Sequence, residues 1–179
     1  MNMFVRLVVL GIRARLRSRV DPLGTCRTPF RVLPTDLDLL GHMNNGVYFS
    51  IFDLARVDLM QRSGLLPKFR KQGWYPVVTA ETASFRRSLN PFRRFDVDTR
   101  IVGWDERHLY VEHRVTTGGN LATTAMIQVR FLSRSGERIA PERLIGLLDE
   151  SPQRPELPGW VAEWSAAGYD HSRELATTQ

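Results

Sequence analysis

From Tyr48 onward the chain places large apolar residues at Tyr48, Ile51, Phe52, Ala55 and Leu59. This is the i, i+3, i+4, i+7, i+11 spacing of one helix face, and Asp53, Arg56 and Gln61 fall largely on the other faces. Asn44 or Asn45 can cap the start, because an Asn side-chain oxygen accepts from the free N–H groups of a first turn. Gly64, followed by Pro67, supplies a stop. The pattern predicts a helix from about Asn45 to Ser63, roughly 27 Å long at ~1.5 Å rise per residue, enough to run along the face of a small sheet.

Around this helix the period changes to two. Thr28 to Leu33 reads as a first strand ended by Pro34, Lys68 to Trp74 as a polar connection, and Tyr75 to Phe85 as a strand broken by Asn90-Pro91. Phe95, Val97, Thr99 and Ile101 alternate with Asp96, Asp98 and Arg100, the mark of a half-buried strand. Asp105-Glu106-Arg107 predicts a hairpin turn before a second alternating run, Leu109 to Thr116. Gly118-Gly119-Asn120 predicts another tight turn, and Leu121 to Leu132 closes the meander. Past Ser135-Gly136 the pattern weakens. Pro141 to Leu148 and Trp160 to Ala167 read as short helices, Ser151 to Pro158 is rich in proline, and disorder is expected from about Ser172. The chain thus divides into residues 1–23, a domain over 24–135 and an extension over 136–179.

Met3 to Leu16 combines an apolar run with arginine: Arg6, Arg13, Arg15, Arg17 and Arg19 precede the first acid, Asp21. The run is too short to span a bilayer, which takes ~20 residues. Its charges follow the apolar part, unlike those of a signal peptide. Two readings stay open. A basic amphipathic helix can lie on an anionic membrane surface, or it can pack its Phe4, Leu7, Val8 and Ile12 side on the protein's own sheet.

A length of 179 residues suits one domain with a substantial core. The apolar fraction of 42% and charged fraction of 25% are those of an ordinary globular protein. The net charge of +6 is carried almost wholly by arginine, since Lys68 and Lys71 are the only lysines. Arginine favours bidentate phosphate contact, so a phosphorylated ligand or an acidic carrier protein fits. Nucleic acid would fit the charge equally, but no zinc spacing, helix-turn-helix pattern or stacking motif supports it. The single cysteine, Cys26, excludes an intramolecular disulfide and suggests a reducing, cytoplasmic compartment. It lies outside the polar cluster described next and reads as structural. His108 and His113 share no metal-ligand spacing with His42.

Two carboxylates (Asp36, Asp38), a histidine (His42) and two amides (Asn44, Asn45) crowd into ten residues just before the long helix. They sit at the positive end of its dipole, where free N–H groups could stabilise an oxyanion. The run Asp36-Leu37-Asp38-Leu39-Leu40-Gly41-His42-Met43-Asn44-Asn45-Gly46-Val47-Tyr48 resembles the signature of hotdog-fold acyl-thioesterases. That group includes 4-hydroxybenzoyl-CoA thioesterase, the plant acyl-carrier-protein thioesterases and, most similar, the thioesterase-superfamily-member-6-like proteins. The resemblance extends through Phe85-Arg86-Arg87-Ser88-Leu89 and Gly103-Trp104-Asp105, about Thr28 to Ser133. It implies an α+β fold, a long central helix wrapped by a curved antiparallel sheet of about five strands. It also implies pairing of two subunits edge to edge, as a homodimer or dimer of dimers, with active sites at the interface. The helix and five strands read above agree with that layout.

The resemblance further implies hydrolysis of an acyl-CoA or acyl-carrier-protein thioester, without a metal or organic cofactor. Asp38 matches the catalytic carboxylate in both the plant and the 4-hydroxybenzoyl-CoA branches, as nucleophile or general base. His42 matches the plant histidine, and either orients substrate or carboxylate or satisfies loop carbonyls. Asn45 would polarise the carbonyl through its backbone N–H. Leu40 and Ser88 depart from the plant pattern, which has an asparagine and an acid there. Asp36 reads as structural and Asn44 as a cap beside the substrate. Tyr48 is placed by the motif near substrate and by periodicity in the core. Arg86, Arg87, Arg93 and Arg94 around Asn90-Pro91 form either a solvated hairpin tip or a contact for coenzyme A or carrier phosphate. The rival reading is a non-catalytic acyl-binding or membrane-associated protein of the same fold. A hydratase is weaker, because its Asp-x-Asn-Pro-x-His pattern is missing.

Overall fold

A computed structural model describes residues 3–148 and 152–177. The elements follow in the order α1 (Met3–Leu16), β1 (Cys26–Arg31), a 3-10 turn (Pro34–Asp36), α2 (Asn45–Arg62), α3 (Leu65–Gln72) and β2 (Trp74–Phe85). After them come β3 (Arg94–Trp104), β4 (Leu109–Thr117), β5 (Asn120–Ser133), β6 (Arg138–Ile139), α4 (Pro141–Ile145) and α5 (Gly159–Thr177). The strands form one antiparallel sheet in the order β1-β3-β4-β5-β2, and β6 adds to the end of β5. With α2 packed across it, this is the hotdog arrangement that the sequence implies.

The predicted face of α2 is the buried one. Tyr48, Ile51, Phe52, Ala55 and Leu59 are all core residues, joined by Phe95, Val97, Val111, Val115 and Ile127 from the sheet. At about 1.5–3 kcal/mol for each large apolar side chain removed from water, that face alone contributes on the order of 10 kcal/mol towards seating the helix. Burial goes further than the apolar stripe, however. Arg56, Asp58 and Arg62 are also buried, each held by polar partners that the local pattern does not reveal. Arg56 therefore does not lie on a solvent face as its spacing suggests.

Two other expectations change. The connection read at Lys68 to Trp74 is largely the helix α3, which buries Leu65 and Phe69 at i, i+4. Pro67 sits in its first turn, where no backbone N–H is needed. Gly64, at φ +75°, makes the left-handed break between α2 and α3. The second change concerns α1. It packs on α2 through Arg6, Leu10 and Ala14, while Phe4, Leu7, Val8 and Ile12 face outwards. The reading in which that apolar side covers the sheet is wrong, because Arg6 finds a buried acid and draws the opposite face inwards.

The C-terminal extension returns over the outer side of the sheet. Leu157, Val161 and Trp164 pack with Val102, Tyr110 and Met126. A Cβ on Gly103 would lie 2.7 Å from the Leu157 side chain, so the strand is bare where the extension crosses it. α5 is helical through Thr177, beyond the disorder expected from Ser172. Asp105 of the Gly-Trp-Asp run shapes the β3–β4 hairpin, its Oδ1 accepting from Arg107 and His108 N–H at 2.7 Å.

Candidate active site

The loop before α2 closes on itself through Asp38. Its N–H donates to the His42 carbonyl at 2.8 Å, and its carbonyl accepts from Gly41 N–H at 3.1 Å. Asp38 Oδ1 accepts from Leu40 N–H at 2.9 Å and from His42 N–H at 3.3 Å. Gly41 supplies the φ of +75° that this turn requires. One carboxylate oxygen thus shapes the loop, and Oδ2 is left without a hydrogen-bond partner among the described residues. Leu39 and Leu40 project fully into solvent at its tip.

Asp36 anchors the same loop from below. Its Oδ2 accepts from Arg6 Nη2 at 2.5 Å and from Leu33 N–H at 2.8 Å, and its carbonyl accepts from Asn44 N–H at 2.8 Å. Asn44 in turn caps α2, its Oδ1 accepting from Gly46 N–H at 2.8 Å. Asn45, the first helical residue, is exposed, and its N–H has no acceptor among the described residues. A free N–H at the positive end of an 18-residue helix is suited to developing negative charge.

The remaining expected residues divide. His42 meets Asp38 through backbone groups, and its ring has no hydrogen-bond partner among the described residues. Tyr48 is a core residue: its ring packs on Phe52 and Phe85 at 6.3 and 5.1 Å, and burial raises its pKa. The four arginines do not form one cluster. Arg87 and Arg93 line a groove of about 330 Å³ with Ser88 and Asn90, whereas Arg94 lines a different groove beside α1. Arg86 is exposed, its N–H held by the Ala122 carbonyl at 2.8 Å. Cys26 is buried next to Asp58. Burial, reinforced by that carboxylate, pushes its thiol up to about 11, which leaves it unreactive.

Sequence reasoning missed a buried polar line through the middle of α2. Arg56 Nη1 lies 3.1 Å from His113 Nε2, and His113 Nδ1 lies 3.0 Å from Thr99 Oγ1. Arg56 can only donate, so Nε2 is the acceptor and Nδ1 carries the hydrogen. Full burial, and then the neighbouring guanidinium, hold the His113 pKa well below 6.5. The imidazole is stacked on Phe52 at 4.7 Å. Arg56 also pairs with Asp53, whose side chain is 66% exposed, and nearby Glu81 has a raised pKa caused first by burial. Among the described residues, Asp53 and Arg56 are the only charged ones around a cavity of about 310 Å³, whose walls include Val57, Met60, Phe69, Val129 and Leu144. Its residues are spread from Pro22 to Leu148, which explains why local periodicity could not show it. Among the described residues no three His, Cys, Asp or Glu side chains gather as a metal-binding group.

Comparison with known proteins gives this geometry a setting. The model of the thioesterase-like superfamily matches residues 32–165. The chain is 30% identical over 175 residues to Protein THEM6 of Xenopus laevis, covering 96% of this chain and 83% of that protein. It is 30% identical over 122 residues to a betainyl-CoA thioesterase of Pseudomonas aeruginosa, covering 66% of this chain and 76% of that enzyme. A Staphylococcus aureus protein solved in complex with CoA shares the fold at a TM-score of 0.63 and 18% identity, with 80% of this chain and 93% of that chain covered. The family match takes in the Asp38 loop, the whole of α2 and strands β2 to β6, and it places this chain in the thioesterase-like superfamily.

Proposed function

We propose that the protein hydrolyses an acyl-CoA or acyl-carrier-protein thioester with Asp38 as general base. The observation that carries this reading is the division of labour in the Asp38 carboxylate. Oδ1 is held by two loop N–H groups while Oδ2 stays available, on the loop that leads to the unpartnered N–H of Asn45. Oδ2 takes a proton from water, and the oxygen of that water bonds to the thioester carbon. The carbonyl oxygen gains negative charge beside Asn45 N–H. Re-forming the carbonyl breaks the C–S bond, and the leaving thiolate recovers the proton. The cavity further along α2, lined by Val57, Met60 and Phe69 and not by residues of the Asp38 loop, has the apolar walls that a hydrocarbon acyl group would need. Free-thiol release from acyl-CoAs of increasing length tests this directly. A positioned base contributes ~10²–10⁴-fold, so Asp38→Asn should lose at least 100-fold in turnover, and equal turnover in both proteins would refute the assignment.

Two features support an assembled, surface-seated protein. The outer edge of β2, twelve residues long, pairs with no strand among the described residues and leaves Tyr75 and Val78 exposed. Such an edge is a template for pairing, here with the same strand of a second copy, and a monomer in light scattering would count against it. No helix among the described residues is long and apolar enough to cross a membrane. However, α1 turns Phe4 (69% exposed), Val8, Ile12 and Leu16 (84%) outwards beside exposed Arg13 and Arg15, a face suited to lying in an anionic bilayer surface. Failure to co-sediment with anionic vesicles would remove that part.

A further inference from the structure

The groove beside α1 has a charge arrangement that the hydrolytic reading does not use. It encloses about 660 Å³ between α1 and the paired strands β1 and β3, and five arginines line it. Two of them are committed. Arg6 is bound to Asp36 at 2.5 Å, and Arg17 to Asp58 at 2.9 Å. Asp58 is the only acid in the lining among the described residues, and it also serves Thr28 at 2.7 Å. Arg13, Arg31 and Arg94 are left exposed, with no acidic partner among the described residues.

The backbone register makes the arrangement costly. Arg31 of β1 and Arg94 of β3 are directly opposed Cα partners. Side chains of such a pair stand on one face with Cβ atoms about 4.5–5.5 Å apart, and like charges there destabilise a sheet. No ion pair joins Arg13, Arg31 or Arg94 to an acid among the described residues, and the register sets Arg31 beside Arg94 on one face of the sheet, with Asp96 as the acid two residues along β3. An anion between them removes the repulsion and accepts the forked hydrogen bonds that arginine offers.

We propose that this groove is a phosphate-ester site, with Arg13, Arg31 and Arg94 as its clamp. The ligand chemistry has two sources, a nucleotide phosphate of a coenzyme A thioester or the headgroup of an anionic phospholipid beneath α1. Leu33 lines the groove, and its N–H donates to Asp36 Oδ2 at 2.8 Å, so the groove adjoins the base of the loop proposed for hydrolysis. Binding does not require turnover, so the site can be tested without assuming catalysis.

The test uses the full chain and the variants Arg31→Gln and Arg94→Gln, both at exposed positions. Melting temperature is measured together with binding of CoA, dephospho-CoA and vesicles of phosphatidylcholine with or without phosphatidylserine. Relief of the opposed charges should raise the melting temperature of each variant by about 1–2 °C. Loss of a charge-assisted phosphate contact should weaken binding at least ~10-fold, more strongly at low than at high salt. Weakened CoA binding with unchanged vesicle binding assigns the phosphate to the nucleotide, and the reverse assigns it to the lipid. A fall in melting temperature in both variants would make the arginines structural and overturn the proposal. So would binding of neither probe by the wild type, or affinities for both that the variants leave unchanged.

Discussion

Replacing Arg6 with Met should damage a loop thirty residues away. The Arg6–Asp36 pair has side chains only 5% and 3% exposed, so water screens it little. Removing one partner of a buried pair costs about 3–5 kcal/mol, because the other charge stays behind uncompensated. Leu33 N–H still donates to Asp36 Oδ2, and α1 can lift to admit water, so the lower end applies, about 3 kcal/mol. For a domain of this size each kcal/mol moves the melting temperature by about 2–4 °C, so Arg6→Met should melt roughly 6–12 °C lower in calorimetry. The activity effect has a separate route. The Asp36 carbonyl holds Asn44 N–H at 2.8 Å, and Asn44 caps α2, so a displaced Asp36 also displaces the helix start. A misplacement of about 1 Å at a reacting centre can cost ~100-fold, and thiol release should fall by at least ~10-fold at a temperature where the variant remains folded. A double-mutant cycle with Asp36→Asn isolates the pair, with a coupling of ~1–3 kcal/mol expected. A variant melting within about 2 °C of wild type, with a coupling below ~0.5 kcal/mol, would refute the view that this pair ties α1 to the loop.

His113 gives a pH signature. Its folded pKa is depressed well below 6.5, so the neutral ring's contribution is fully present above that value. It is lost as pH falls, because only the unfolded chain gains the proton. The slope approaches ~1.4 kcal/mol per pH unit, so wild-type stability should decline between pH 6.5 and 5, and the slope should flatten in His113→Gln. An equal slope in both proteins would assign the decline to other groups. Cys26, with its thiol near 11, should resist alkylation by iodoacetamide at mildly alkaline pH until the protein is denatured; rapid labelling of the folded protein would contradict its burial. Val57→Phe narrows the cavity of about 310 Å³ and should shift thiol release towards shorter acyl-CoAs, whereas an unaltered length profile would place the acyl chain elsewhere.

Local pattern made the central helix and its sheet legible because their burial repeats with the period of their own backbones. Tyr48, Ile51, Phe52, Ala55 and Leu59 are buried where the 3.6-residue period places them, and Phe95, Val97 and Thr99 where the two-residue period does. Asn44 could be read as a cap because capping joins neighbours in sequence. What stayed hidden depends on distant partners. Arg56 looks solvent-facing until His113, 57 residues on, is brought to it. Arg31 and Arg94 are unremarkable in sequence and become a problem only when the β1–β3 register sets them opposite each other.

The case of α1 shows why amphipathicity predicts a stripe without saying what covers it. The helix has two usable faces, one with Phe4, Val8 and Ile12, the other with Arg6, Leu10 and Ala14. Apolar area favours burying the first. The second is buried because Arg6 meets an acid that the Asp-x-Asp run has already turned inwards. The same run separates its two carboxylates by role. Asp36 spends Oδ2 on a guanidinium and a backbone N–H, while Asp38 spends Oδ1 on its own loop and keeps Oδ2. The alternation of the run therefore couples the two ends of the proposed mechanism. The inward acid fixes the helix start and draws α1 down with its apolar side outwards, and the acid two residues later keeps an oxygen available for water.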